Sequence, residues 1–201
     1  MARLSLDGRP VRPLRRDASA NRVRIIAVAE ALLRERGDAV RMEDVSAAAG
    51  VGKGTLYRNY PDRAALAEAV LDGLARQVQA RALAELAPGD GPALARLDRF
   101  VAMMFGFVAD NLDLLCIARE GRRADPRLAP SHRWQRMVVV GLLAEAARRG
   151  ECPAPDLGYL PEALLALIDP GLVRHQLADG RMRDDVLAGL RRAVAGAARG
   201  G

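Results

Sequence analysis

Between Arg41 and Arg63 the chain reads RMEDVSAAAGVGKGTLYRNYPDR. Val45 and Ala49 would share the inner face of one short helix, and Leu56 and Tyr60, four apart, that of a second. This leaves Gly54, Thr55, Arg58 and Asn59 pointing outward from the second helix, with Lys53 and Tyr57 along one flank. Small residues permit close approach, while hydroxyl, amide and cationic groups reach phosphate oxygens or base edges in a major groove. That is recognition chemistry rather than bond-making chemistry. Elsewhere, Cys116 and Cys152 form no metal-type cluster, and His132 and His175 stand isolated. Neither cysteine has the electropositive helix-start setting that activates a thiolate. No catalytic residue, metal or cofactor is expected.

The elements that must position these side chains follow from periodicity. Two helices of about two turns around a glycine-containing turn form a helix-turn-helix, here about 41–60. Gly50 supplies the left-handed conformation of the sharp turn, and Val51 anchors that turn in the core. Glu43 and Asp44 occupy the first turn of the first short helix, where the helix dipole favours anions. An earlier helix is expected from Asn21, a candidate N-cap, through Ile25, Ile26, Ala29, Leu32 and Leu33 to Arg36-Gly37. Pro61-Asp62 marks the start of a longer helix from Arg63 toward Leu86. Pro88 to Pro92 reads as a linker. Beyond it, helices are expected at about 93–110, 111–120, 131–149, 160–178 and 183–199, with Pro170 kinking or interrupting the fourth of these.

No segment alternates with period two, and no internal repeat of 20–50 residues is visible. The fold class is therefore all-α, with about nine helices. Residues 1–18, with Arg3, Arg9, Arg12, Arg15 and Arg16, read as a flexible basic arm. Residues 19–79 read as a small basic bundle with the helix-turn-helix, and 80–201 as a larger, nearly neutral helical one.

Composition narrows the partner. The chain has 201 residues and a net charge of +6; its 31 basic residues are 30 arginines and the single Lys53. Residues 1–63 carry 13 basic and 8 acidic groups, whereas 64–201 carry 18 and 17. A basic N-terminal third invites nucleic acid or an anionic membrane surface. The longest uncharged run, about Phe100–Ala109, is far short of a membrane span. No secretion signal is visible, and two cysteines suit a reduced, cytoplasmic setting. The 38 alanines and seven aromatics favour helix.

The stretch from Asn21 to Leu71 resembles the DNA-binding domain of TetR-type transcriptional regulators. The matching residues are Glu43-Asp44-Val45-Ser46, Ala49-Gly50-Val51, Gly52-Lys53, Gly54-Thr55-Leu56-Tyr57 and Tyr60, then Pro61-Asp62-Arg63 and Leu66. The resemblance implies a recognition helix at Lys53–Tyr60. Lys53, Gly54 and Thr55 would lie near bases or phosphates, Tyr57 on the backbone, and Arg58 and Asn59 toward the duplex. Arg63 would hold a phosphate. Arg41 stands where the family often has a capping threonine, Gly52 where serine is commoner, and Tyr60 where phenylalanine is commoner.

The C-terminal portion resembles the family's ligand-binding and dimerisation domain more weakly. The resemblance implies a homodimer through the last two helices, a palindromic double-stranded DNA operator, and a small-molecule effector. Met103, Phe107, Cys116, Trp134 and Met137, with Met104 and Phe105, are candidates to line an effector pocket. Arg119, Glu120, Arg122 and Arg123 are candidates to gate it. Two alternatives stand beside a ligand-responsive repressor: a non-specific DNA-binding protein, and an enzyme using Cys116 or Cys152 with a histidine.

Overall fold

The computed structural model describes residues 14–87, 89, 91–120 and 129–199. Among these residues there are ten α-helices, a 3-10 turn at Gly37–Ala39 and no strand. In chain order the helices are α1 (Leu14–Arg36), α2 (Met42–Ala48), α3 (Lys53–Asn59), α4 (Arg63–Glu85) and α5 (Ala93–Asp110). They continue as α6 (Leu112–Arg119), α7 (Pro130–Arg148), α8 (Leu160–Ala166), α9 (Pro170–Ala178) and α10 (Arg183–Arg199).

Two boundaries depart from the sequence expectation. Helix α1 starts at Leu14, so the last part of the expected arm is helical, while residues 1–13 lie outside the described residues. Asn21 therefore does not cap; its Oδ1 accepts from Arg24 Nη2 one turn on, at 2.8 Å. The second departure is the tenth helix. Pro170 does more than kink the 160–178 segment, because a proline lacks the N–H and its ring clashes with the carbonyl four residues back. The backbone breaks, and the Asp169 carboxylate caps the new helix by accepting from Gly171 N at 2.8 Å and Leu172 N at 3.3 Å.

Two hydrophobic cores organise the helices. One collects Ile25, Ala29 and Leu33 of α1, Val45 of α2, Leu56 and Tyr60, and Leu66, Val70 and Leu74 of α4. Leu114, Ile117 and Ala118 of α6 belong to it as well, so a helix from the second half of the chain completes the N-terminal core. The other core unites α5, α7, α8, α9 and α10 around Phe100, with Ala82 of α4. Helix α4 runs unbroken through the 79/80 boundary read from the sequence and serves both cores. Between α5 and α6 the chain bends by 74°. At that bend Asn111 is buried and its Nδ2 donates to Phe107 O at 2.7 Å. Among the described residues no single helix is long and apolar enough to cross a membrane.

Charged side chains bind the linker end of the second core. Arg96, only 3% exposed, makes a two-pronged ion pair with Glu145 at 2.8 and 3.0 Å. Glu151 accepts from the first backbone N–H groups of α5, Ala93 and Leu94, at 3.0 and 2.9 Å. Hydrogen bonds from Leu94 N and Ala93 N hold Glu151 below the usual carboxylate range, and the Arg96 hydrogen bond does the same for Glu145. For Asp169, burial pushes the other way but is outweighed by Arg119 and by the N–H groups of Gly171 and Leu172. Such carboxylates bind a proton less readily folded than unfolded. Their stabilisation is complete above the ordinary carboxylate range and is lost as pH falls below it, through the lowered values of the folded state. The urea midpoint is expected to be flat from neutral pH to about pH 5 and to drop below about pH 4. Glu151→Gln should weaken the drop, and an unchanged profile in that variant would remove Glu151 from this account.

Candidate nucleic-acid interface

The turn between α2 and α3 is built by local rules. Ala49 is the last right-handed residue, and Gly50 takes φ of 61°, where a side chain would be strained. Gly50 N then donates to Ala47 O and Val51 N to Ser46 O, both at 3.1 Å, so the last carbonyls of α2 are satisfied. The buried Ser46 hydroxyl donates to Val51 O at 2.7 Å and ties the turn back to α2. Gly52 caps α3 through its carbonyl, which accepts from Thr55 N and Leu56 N at 2.9 and 3.1 Å.

With Leu56 fully buried and Tyr60 2% exposed, α3 has one orientation. Gly52, Lys53, Gly54, Tyr57, Arg58 and Asn59 are exposed and Thr55 is half-buried, so these seven sequence-selected residues share the outer side of one short helix. Several side chains are held before any partner arrives. Arg58 Nε donates to Gly54 O at 3.0 Å, Asn59 Nδ2 to Thr55 O at 2.8 Å, and Arg58 Nη2 to Thr55 Oγ1 at 3.4 Å. Glu43 of α2 reaches across: its Oε1 lies 3.6 Å from Lys53 Nζ and accepts from Tyr57 Oη at 3.4 Å. From the sequence, Glu43 is expected in the first turn of α2, where the helix dipole favours it. Its cross-helix role depends on the angle between α2 and α3, which no residue spacing reveals.

Arg41 and Arg63 stand apart from α3. Arg41 is exposed at the start of α2 without a capping side-chain bond of its own; instead its N–H donates to Asp44 Oδ2 at 3.0 Å. Asp44 thereby supplies one half of a capping box. Arg63, expected to hold a phosphate, donates through Nη2 to Glu120 Oε2 of the α6 end at 2.9 Å. It is half-buried and tied to the second half of the chain. Asp62 caps α4 by accepting from Ala65 N at 2.7 Å.

The candidate effector residues separate. Met103 and Phe107 line a cavity of about 610 Å³ between α4, α5 and α10. Cys116 is half-buried on α6 and does not line it. Trp134 packs edge-on against Phe100, with ring centroids 5.7 Å apart, as part of the second core. Met137 is 64% exposed, because α7 turns Val139, Leu142 and Leu143 inward and that phase sends position 137 to solvent. Met104 and Phe105 are buried core. The proposed gate is engaged elsewhere: Arg119 pairs with Asp169 at 3.1 Å and Glu120 with Arg63, while Arg122 and Arg123 lie outside the described residues. His132 Nε2 sits 3.0 Å from Glu162, which also binds Arg136, and His175 lies 3.5 Å from Asp179. Among the described residues no group of three metal-ligating side chains comes together.

A two-helix unit whose second helix turns a cationic, hydroxyl- and amide-bearing side to solvent, fused to a larger helical bundle with a cavity, is a DNA-binding regulator. Residues 25–70 match the profile of bacterial regulatory proteins of the tetR family. The chain is 32% identical over 149 residues to the HTH-type transcriptional repressor LfrR of Mycolicibacterium smegmatis, covering 69% of this chain and 75% of that protein. It belongs to the TetR family of transcriptional regulators, which are not enzymes. The fold is shared with a transcriptional regulator from Saccharomonospora viridis in complex with choline. The TM-score there is 0.69 at 22% identity, over 88% of this chain and 96% of that one. It is also shared with FadR from Bacillus subtilis in complex with stearoyl-CoA, with a TM-score of 0.64 at 17% identity, over 89% and 98%.

Proposed function

We propose that this regulator is a cytoplasmic, ligand-responsive repressor that binds a palindromic operator as a homodimer. Residues 19–79 would read DNA, with Arg41, Gly52, Lys53, Gly54, Thr55, Tyr57, Arg58, Asn59 and, on release from its Glu120 pair, Arg63 at the duplex; residues 80–201 would sense and dimerise. The observation that carries the reading is the outer side of α3, where donors are exposed beside glycines while Leu56 and Tyr60 fix the helix from within. Repression is supported by the likeness to the repressor LfrR, and ligand response by the ligand-bound structural relatives. Dimerisation has a physical argument: a seven-residue helix covers few base pairs, and a two-fold pair one helical turn apart doubles the contacts. Exposed Leu172 and Met182, beside the apolar groove between α9 and α10, supply apolar surface for that contact.

Selection from a random duplex pool supplies the probe. The selected duplex should bind at least about a thousandfold tighter than random sequence, and it should be two-fold symmetric. Equal affinity for both would favour a non-specific DNA-binding protein instead. Sizing at micromolar concentration is expected to give a dimer, and a monomer that still binds the palindrome would sink the dimeric reading. Lys53→Ala is expected to weaken binding and to lower the slope of log affinity against log salt by about one. An unchanged slope would leave Lys53 solvated rather than at a phosphate.

A further inference from the structure

The ligands of the two structural relatives differ in charge, so the fold leaves the chemical class of effector open. The cavity between α4, α5 and α10 is specific on that point. Four arginines, Arg34, Arg81, Arg99 and Arg191, line it against two carboxylates, Glu85 and Asp110. Both carboxylates are already engaged: Glu85 by Arg81 at 2.6 Å, and Asp110 by Arg183 at 2.7 Å. Arg34 is likewise paired, with Glu30 at 3.2 Å, so a cationic ligand finds every lining carboxylate already held by a guanidinium group and would have to displace one.

The positive groups are also grouped. Arg191 pairs with Asp98 of α5 at 3.2 Å, which sets it at the level of Arg99 along α5, and Arg99 Nη2 reaches Glu85 O at 3.5 Å. Arg81 and Glu85 are successive turns of α4. Arg81, Arg99 and Arg191 thus line the cavity at a similar level, and the exposed ion pairs of Arg81 with Glu85 and of Arg191 with Asp98 are weak enough to re-form around a ligand acid. From there Met103, Gly106 and Phe107 of α5 and Val78 and Leu74 of α4 run toward the bend at Asn111. Arg99 and Asn111 are about 18 Å apart along the helix axis.

Two features at the apolar stretch and the far end fit an occupant. A Cβ on Gly106 would meet no atom within 4 Å, so a glycine in mid-helix leaves the groove wide where it borders Met103 and Phe107. Asn111 lines the cavity, is 6% exposed, and its Oδ1 has no hydrogen-bond partner among the described residues. A buried acceptor without a donor is costly, and a ligand hydroxyl or N–H at that end relieves it.

We propose that this groove binds an elongated organic acid, its anionic head held by Arg99 with Arg81 and Arg191 and its apolar body lying over Met103, Gly106 and Phe107. The assignment rests on the ligand-responsive reading and gives its site a charge and a direction. Binding of decanoate, decanol and decyltrimethylammonium to the full chain, measured by calorimetry below their micelle concentrations, holds the tail constant and varies the head. Decanoate is expected to bind at least about tenfold tighter than the cation. Arg191→Ala and Arg99→Ala are each expected to weaken decanoate by about tenfold and to leave decanol unchanged. Gly106→Leu, which fills open space and favours helix, is expected to abolish decanoate binding with helical content and melting midpoint retained. Tighter binding of the cation, equal binding of all three, binding of none, or wild-type decanoate affinity in Gly106→Leu each overturns the proposal. Gel shift of the selected duplex in the same preparations separates the two readings. A chain that shifts the duplex yet prefers the cation remains a regulator and loses this assignment.

Discussion

Tyr57→Ala is expected to lower affinity for the selected duplex by at least about a hundredfold, most of the way to the level of random sequence. The phenol is 42% exposed on the flank of α3, and its hydroxyl is steered by Glu43 rather than buried in the core. Thr55→Ala is expected to act similarly, because it removes the hydroxyl toward which Arg58 Nη2 points at 3.4 Å and so frees two groups at once. Neither change disturbs Leu56 or Tyr60, and alanine has the higher helix propensity at both positions. Unfolding free energy should therefore stay within about 0.5 kcal/mol of the parent. Loss of binding with stability intact isolates the recognition surface. Parental affinity by gel shift in both variants would show that α3 does not enter the groove.

Ile117→Ala is expected to cost about 2–4 kcal/mol of unfolding free energy, read from the urea midpoint. Ile117 is fully buried, yet it lies on α6 within the core shared with α1 and α4. Truncation leaves a cavity at the joint between the DNA-reading helices and the bundle. Met137→Ala is the companion change. At 64% exposure it is expected to shift the midpoint by less than about 0.5 kcal/mol, although both residues are large and apolar. A loss below about 1 kcal/mol for Ile117→Ala would mean that α6 is peripheral to the N-terminal core.

The contrast between these two residues shows where sequence reading reaches its range. Periods of 3.6 place α5 and α10 at their observed bounds, since such patterns are written within one helix. Gly50 and Pro170 were equally legible, because a left-handed turn and a missing N–H are properties of single residues. Asn21 misled, since a capping residue and an i to i+3 acceptor look alike until the chain before it is seen to be helical. Met137 and Trp134 were grouped with Met103 as adaptable or aromatic residues on composition. Composition carries no rotational phase, and phase sent Met137 to solvent and Trp134 onto Phe100.

By itself, the sequence determined an all-helical chain, a helix-turn-helix near 41–60, and a family likeness carried by Ala49 to Arg63, all of them encoded within a few residues. Tertiary structure alone decided the contacts made over long separations. It brought Glu120 to Arg63 across 57 positions and Asp169 to Arg119 across 50. It placed α6 in the N-terminal core and brought Arg81, Arg99 and Arg191, from three helices, to the wall of one cavity. The reason is physical. Local hydrogen bonding and steric preference select the helices, whereas the pairing of charges and apolar faces depends on how those helices cross, a property shared among all of them.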